Sequence, residues 1–264
     1  MSVNRNYEIV KNKQIAPDYF LMEINASEIA QKGIPGQFVH VKVTEDSKTY
    51  DPLLRRPFSF YDIDKKQGII KLVYELVGKG TKILTKFSSG DSINILGPLG
   101  NGFNINHSHK KPILIGGGMG IVPLYYLARE LIKNDLEITM MIGGNKEENI
   151  KFFIKQLEKL DLNLHIATID GSRGYKGTVL DLWKENNDKF QKKDYIYSCG
   201  PEAMLSEIKK YAGNLNIKGE FSLEARMGCG IGVCLSCVCK TVDGNQRVCK
   251  EGPVFALNEV IFDE

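Results

Sequence analysis

Residues 113–120 read Ile113-Leu114-Ile115-Gly116-Gly117-Gly118-Met119-Gly120, and Leu124, Leu127, Ala128 and Leu131 follow at helical spacing. A buried strand running through a glycine turn into a helix is the arrangement that holds a pyrophosphate. Glycines let the backbone approach closely, and the helix start offers free amides and the positive end of its dipole. Gly117, Gly118 and Gly120 are therefore candidate cofactor contacts. The spacing does not reproduce the G-x-G-x-x-G pattern, so an ordinary tight turn is an equal reading of the run by itself.

Downstream, the chain alternates apolar strands with amphipathic helices. Strands are expected at Ile138 to Ile142, Leu164 to Ile169 and Tyr195 to Ser198, and helices at Phe152 to Leu160, Val179 to Trp183 and Ala203 to Ala212. This rhythm predicts a doubly wound parallel sheet. Its last strand ends in Cys199-Gly200-Pro201, with Pro201 opening a helix. Cys199 and Gly200 should then face the same crevice as the glycine run, although Cys199 also reads as a buried structural thiol. Glu147 and Glu148 after the second strand favour NADH over NADPH, whose extra phosphate calls for arginine; Lys146 and Lys151 work against that preference.

Upstream, the texture is β. Phe20, Met22 and Ile24 alternate with polar or opposite-facing residues, as do Val39, Val41 and Val43, then Ile70, Leu72 and Tyr74, then Ile93 and Ile95. Short alternating strands separated by turns predict an antiparallel barrel, with a short helix within Gly78 to Ser88. Within it lies Arg55-Arg56-Pro57-Phe58-Ser59-Phe60. Arg56 and Ser59 on one extended strand can reach a phosphate and a flavin ring. The competing reading is an exposed basic edge strand guarded by Pro57. A polar linker with His107 and His109 spans Asn104 to Lys111.

The C-terminal region carries Cys229-x4-Cys234-x2-Cys237, then eleven residues to Cys249. The x4, x2 opening is that of plant-type ferredoxins, in which four thiolates hold a 2Fe–2S cluster. Gly228, Gly230 and Gly232 let the loop wrap closely and turn its amides toward sulfur. A four-cysteine zinc site and a redox pair at Cys234 and Cys237 are the alternatives. Zinc sites usually pair two knuckles, and a second one is missing here. Cys239 should pack as a small apolar side chain, and Asp243-Gly244-Asn245 marks a hairpin.

Composition narrows the class. A net charge of +3 over 264 residues gives no sign of a nucleic-acid-binding face. The stretch from Pro112 to Ala128 is too short and too rich in glycine for a membrane helix. The first residues have no apolar signal core, so a soluble, cytoplasmic protein is expected. The expectation is an α+β multidomain chain: an antiparallel β-barrel flavin domain over 1–104, a doubly wound parallel α/β nucleotide domain over 105–218, and a small C-terminal 2Fe–2S domain over 219–264.

The order of these features resembles the ferredoxin–NADP reductase superfamily. Leu223-Glu224-Ala225-Arg226-Met227-Gly228-Cys229 and Val248-Cys249-Lys250-Glu251-Gly252-Pro253 are similar, more narrowly, to electron-transfer subunits of class 1B dihydroorotate dehydrogenases. The resemblance covers essentially the whole chain. It implies FAD bound through Arg56, Pro57, Phe58 and Ser59, with further contacts at Val73, Tyr74, Glu75, Gly80 and Thr81. It also implies cluster ligands Cys229, Cys234, Cys237 and Cys249, and NAD as the nicotinamide cofactor. The implied partner is an FMN-containing catalytic subunit that oxidises dihydroorotate in pyrimidine biosynthesis, in a heterotetramer of two of each. Phe58 stands where many members carry an aliphatic residue, and Glu75 where arginine is frequent. No general acid or base is expected on this chain, because its chemistry would be electron relay. Related subunits of sulfhydrogenases and bifurcating transhydrogenases share the same parts, and a zinc-stabilised binding module is the non-catalytic alternative.

Overall fold

The computed structural model describes residues 2–44, 51–105, 109–134, 136–186 and 194–262. His107 of the expected linker lies outside them.

Six strands close an antiparallel barrel: β1 (Val3–Ala16), β2 (Tyr19–Asn25), β3 (Phe38–Val41), β4 (Arg56–Asp64), β5 (Ile69–Glu75) and β6 (Ser92–Leu99). Around the barrel the order is β1-β2-β5-β4-β3-β6. Period-2 alternation fills its interior with Ile9, Met22, Ile24, Val39, Val41, Phe60, Ile70, Leu72, Ile93 and Ile95. Two short helices attend it, α1 (Ser27–Lys32) and α2 (Lys79–Leu84). The long β1 carries no clear alternation of apolar residues beyond Tyr7 and Ile9, which hid it in the sequence. β4 lies between β3 and β5, but along it the Arg56–Ser59 stretch pairs with β3 alone and β5 joins only from Phe60 onward, so one side of that stretch carries no ladder partner.

The second layer system is a seven-stranded sheet. Its strands are β7 (Pro112–Gly117), β8 (Thr139–Gly144), β9 (Asn163–Thr168), β10 (Tyr175–Lys176), β11 (Tyr195–Cys199), β12 (Lys218–Ser222) and β15 (Val254–Ala256). The order is β10-β9-β8-β7-β11-β12-β15, parallel except for the last pair. Alternate residues of each strand divide between two cores. Leu114, Met140 and Tyr197 face α3 (Ile121–Ile132) and α4 (Glu147–Leu157). Ile113, Ile115, Met141 and Ile196 face α5 (Val179–Glu185) and α6 (Glu202–Asn214). This is the doubly wound arrangement expected from the sequence.

Two details differ from the expectation. α4 begins at Glu147, five residues before the predicted start, so Glu147 and Glu148 form its first turn. Carboxylates there complement the helix dipole, a signal as strong as the apolar face that dominated the reading. Strands β12 and β15 were not anticipated. β12 crosses the 218/219 position, and β15 brings the chain beyond the cysteines back onto the sheet beside it. The remaining strands, β13 (Val238–Thr241) and β14 (Gly244–Arg247), form the expected hairpin.

The barrel and the sheet share one core. Leu21, Tyr61 and Val73 of the barrel wall join the cluster that contains Leu114, Leu124 and Phe153. Tyr61 stacks on Tyr125 of α3 with ring centroids 4.4 Å apart. Asp62, almost fully buried, accepts from Arg129 of α3 and from Lys71 Nζ at 3.3 Å. Tyr126 donates to the carbonyl of Gly33 at 3.3 Å. Removing one partner of a buried pair is costly because the other charge stays desolvated, less so here since both cations keep about a third of their surface in water. Asp62→Ala should therefore lower stability by about 2 kcal/mol, read by urea unfolding; a change within error would show that the junction does not depend on this carboxylate.

Candidate functional site

A cleft of about 340 Å³ opens where the barrel, the sheet and the C-terminal segment meet. One wall is the start of β4, with Arg56, Pro57, Phe58 and Ser59, beside Val73, Tyr74 and Glu75 of β5 and Thr81 of α2. A second wall is Met119, Val122 and Pro123, at the start of α3. The third is Leu223, Glu224, Ala225 and Met227, with Pro253. Its size and its mix of apolar walls with a few polar groups suit a cofactor.

The barrel wall is held in place locally. Tyr74 is buried, stacks on Phe20 and donates to Asn12 Oδ1 at 3.0 Å. Burial raises its phenol to about 12, so it is a neutral donor. Phe58 tilts against the same ring. Arg56 donates to the carbonyl of Leu54 at 2.7 Å and lies over Gly80, where a methyl group would sit 3.0 Å from Nε. Thr81 Oγ1 accepts from the amides of Val77 and Gly78 at 3.1 and 3.2 Å, closing the turn into α2. Burial, with Asp18 nearby, raises the carboxyl of Glu75 above its ordinary range.

The glycines converge as a pair of strand ends. In register, Cys199 of β11 stands opposite Gly116 of β7. A Cβ on Gly120 would lie 2.1 Å from the carbonyl oxygen of Cys199, a backbone atom with no room to move. A Cβ on Gly200 would lie 3.1 Å from the amide nitrogen of Gly117. Only glycine permits this approach, and it leaves both turns open to the crevice. Gly118 is at φ +54 with open space beside it, and one 3₁₀ turn, Gly118–Gly120, leads into α3. The Cys199 thiol is buried, which pushes its pKa up and leaves it protonated and inert. A second cavity of about 450 Å³ lies between Gly200, Pro201 and Glu202 and the β13–β14 hairpin. Glu224 lines both cavities. At the ends of β8 and β9, Ser172 Oγ accepts from the amide of Glu147 at 2.8 Å and donates to Asp170 at 2.6 Å.

The cysteines form a compact nest. Cys229 lies against Cys234, and Cys237 against Cys249. Cys229 Sγ accepts from the amides of Val233 and Cys234 at 3.3 and 3.4 Å, and Cys249 Sγ from Gly232 at 3.1 Å. The Ser236 hydroxyl and amide, with the amide of Cys229, bring the Cys234 thiol down to about 6. Arg247 donates to the carbonyl of Gly232 at 2.8 Å while paired with Glu251, fastening the loop to the segment that carries Cys249. Among the described residues, no group of three His, Cys, Asp or Glu side chains is drawn together as a single ion would require. Two thiol pairs under a canopy of amides suit a binuclear iron–sulfur centre better than one tetrahedral zinc ion.

Four features of the site went unread in the sequence. Met119, Val122, Leu223 and Met227 look like core apolars by spacing, and only the meeting of three segments turns them toward one cleft. Asp170 and Ser172 sit in a turn whose nearness to α4 is a property of the sheet order. His40, fully buried in β3, faces the carbonyl of Cys229, and burial holds its pKa down at about 4. Glu224 belongs to the quoted C-terminal stretch, which did carry a usable signal: a carboxylate six residues after the start of β12 and five before the first cysteine.

Comparison with known proteins agrees with this layout. Residues 114–210 match the oxidoreductase NAD-binding domain family, and residues 224–261 match the iron-sulfur cluster binding domain of dihydroorotate dehydrogenase B. The electron transfer subunit of dihydroorotate dehydrogenase B (NAD(+)) from Desulforamulus reducens is 40% identical over 94% of this chain and 95% of its own length. The corresponding subunit from Fusobacterium nucleatum is 36% identical over 96% of both chains. Among solved structures, an NADH-dependent reduced ferredoxin-NADP oxidoreductase described for flavin-based electron bifurcation superposes with a TM-score of 0.85 at 29% identity, over 97% of this chain and 89% of that one. A ferredoxin NADP+ reductase from Neisseria gonorrhoeae shares the fold at a TM-score of 0.68 and 17% identity, over 80% of this chain and 91% of that one. With relatives this similar along nearly its full length, the chain belongs to the family of dihydroorotate dehydrogenase B electron transfer subunits.

Proposed function

We propose that this chain relays electrons between a dihydroorotate-oxidising catalytic subunit and NAD+, using FAD and a 2Fe–2S cluster. The observation that carries the reading is the three-walled cleft, in which the Arg56–Ser59 strand, the glycine-run helix start and the segment leading into Cys229 face one another. When bound, FAD exchanges a hydride with the nicotinamide and single electrons with the cluster.

The chain's residues supply binding and orientation. Arg56 offers its free guanidinium N–H groups to a flavin phosphate, and Gly80 and Thr81 shape the turn beneath it. Pro57, Phe58, Ser59, Val73, Tyr74 and Glu75 line the ring's berth. Glu75 brings no positive charge, so the phosphate contact falls to Arg56. Gly117, Gly118, Gly120, Cys199 and Gly200 form the nicotinamide-nucleotide crevice. Asp170 and the first turn of α4 present carboxylates there, and Ser172 occupies an amide that a 2′-phosphate would otherwise use. This favours NAD over NADP. Cys229, Cys234, Cys237 and Cys249 hold the cluster, two by two.

The relatives' name supports a catalytic partner; the finer reading is an FMN-containing subunit in a complex of two of each. Exposed Ile231, Val233 and Leu235 beside Cys234 support a partner-facing surface there. Among the described residues no helix is long and apolar enough to cross a membrane, and we place the protein in the cytoplasm. The division into units at 1–104, 105–218 and 219–264 is part of the same proposal, with β15 returning to the nucleotide sheet. The likeness at TM-score 0.85 to a bifurcating oxidoreductase favours a second reading, a related flavin and iron–sulfur NAD(P)H oxidoreductase subunit with another partner.

The first experiment is an anaerobic visible spectrum of the purified chain. Flavin bands and a broad iron–sulfur shoulder, both bleached by NADH, are expected; a colourless protein would refute the relay. Arg56→Ala should weaken FAD retention about 10- to 100-fold, the range for a charge-assisted hydrogen bond, measured by fluorescence of released flavin. Cys249→Ala should leave flavin bleaching by NADH intact while abolishing orotate-dependent NADH oxidation with the catalytic partner. Persistence of that coupled activity would place the electron path elsewhere.

A further inference from the structure

His40 is 0% exposed in the middle of β3, yet among the described residues neither of its ring nitrogens has a hydrogen-bond partner. An imidazole carries at least one N–H in every protonation state, and a buried donor left unpaired is destabilising. Within the described residues, the other buried side chain in this condition is Trp183, whose indole packs edge-on to Tyr211 between α5 and α6. His40 is placed differently. A Cβ built on Gly230 would fall 2.5 Å from His40 Nδ1, so the ring rests on the Cys229–Gly230 backbone. The backbone carbonyls of Cys229 and Arg55 both face it, with Cys229 the stronger influence. On its other side His40 stands in register with Pro57, inside the Arg56–Ser59 stretch. Its own carbonyl accepts from Arg55 Nη1 at 3.2 Å, and Arg55 is anchored in turn to the carbonyl of Asn94 at 3.3 Å. The ring is thus carried on a braced strand, between the flavin wall and the cysteine loop.

We propose that His40 is a positioning residue for the iron–sulfur centre: its ring N–H donates to the carbonyl of Cys229 and so orients the loop that follows. This rests on the assignment of the cluster to Cys229, Cys234, Cys237 and Cys249. The loop has two sides. Amides of Ile231, Gly232, Val233 and Cys234 point inward to sulfur at 3.1–3.5 Å. The first carbonyl of the loop points outward to the barrel. A donor that grips this carbonyl keeps the peptide plane turned, and with it the amides that stabilise the added negative charge of the reduced cluster. Gly230, at φ +72, lacks the side chain that would push the ring away.

The test uses the full chain with its FAD, and two variants. His40→Asn keeps a side-chain N–H near the position of Nδ1; His40→Leu fills similar space without a donor. Iron, sulfide and FAD are assayed first on the unmodified chain; absence of iron there would overturn the cluster assignment and this proposal with it. EPR-monitored redox titration then reads the cluster, with the flavin potential of the same sample as reference. His40→Asn should match the unmodified chain. His40→Leu should hold its cluster roughly tenfold less tightly, in line with the loss of other supporting contacts at metal centres, or titrate at a more negative potential with the flavin unmoved. A His40→Leu chain with unchanged iron content and potential overturns the proposal. So does an equal change in both variants, or a parallel loss of FAD in both, since these mark a packing role.

Discussion

The contact between α3 and β4 is the constraint on which the remaining structure depends. β4 has two jobs along its length. Its first half, Arg56 to Ser59, lines the cleft; its second half, Tyr61 and Asp62, docks onto Tyr125 and Arg129 of α3. The start of α3 is the far wall of the same cleft. One helix lying on one strand therefore sets the width of the gap between the wall proposed to bind flavin and the turn proposed to bind the nucleotide. Because the contact is apolar, aromatic and closed by a buried carboxylate, it behaves as a core and not as a hinge.

The C-terminal segment completes the cleft by returning. After Ser222 the chain leaves the sheet, lines the third wall, forms the cysteine loop and hairpin, and comes back as β15 beside β12. A loop tethered at both ends of one strand pair has little freedom to drift. The Arg247–Glu251 pair and the amide of Val248, which donates to the carbonyl of Cys237 at 2.8 Å, tie its two halves together. An electron relay needs such fixed spacing, because its groups must stay close without exchanging places.

The site relies on backbone more than on side-chain chemistry. Amides aim at the thiols, glycines open the crevice, and strand ends meet at a position where a single methyl group would collide with a carbonyl. The titratable groups are mostly quieted by burial: Cys199 and Tyr74 are held in their neutral forms. That pattern matches a protein whose cofactors perform the bond-making and whose task is to hold and tune them.

Much of this was legible in the chain. The ligand spacing of Cys229, Cys234 and Cys237, the strand–glycine–helix order around Gly117, and the alternation of the barrel strands are local facts, and local periodicity records them directly. The start of α4 was misread because its first three residues, Glu147 to Asn149, are polar and partly in solvent, and Ile150 alone marks the apolar face before Phe153. β1 and β15 were invisible for a related reason: a strand pairs through its backbone, and the partner's address is not written in its side chains. The third wall of the cleft, the approach of Ser172 to α4 and the burial of His40 beneath Cys229 all join residues far apart in sequence. Short-range pattern determined most of the helices and strands and the cysteine spacing on which the proposed ligand set rests. Only the tertiary structure decided what faces what, because packing, not sequence distance, sets which surfaces lose their water to one another.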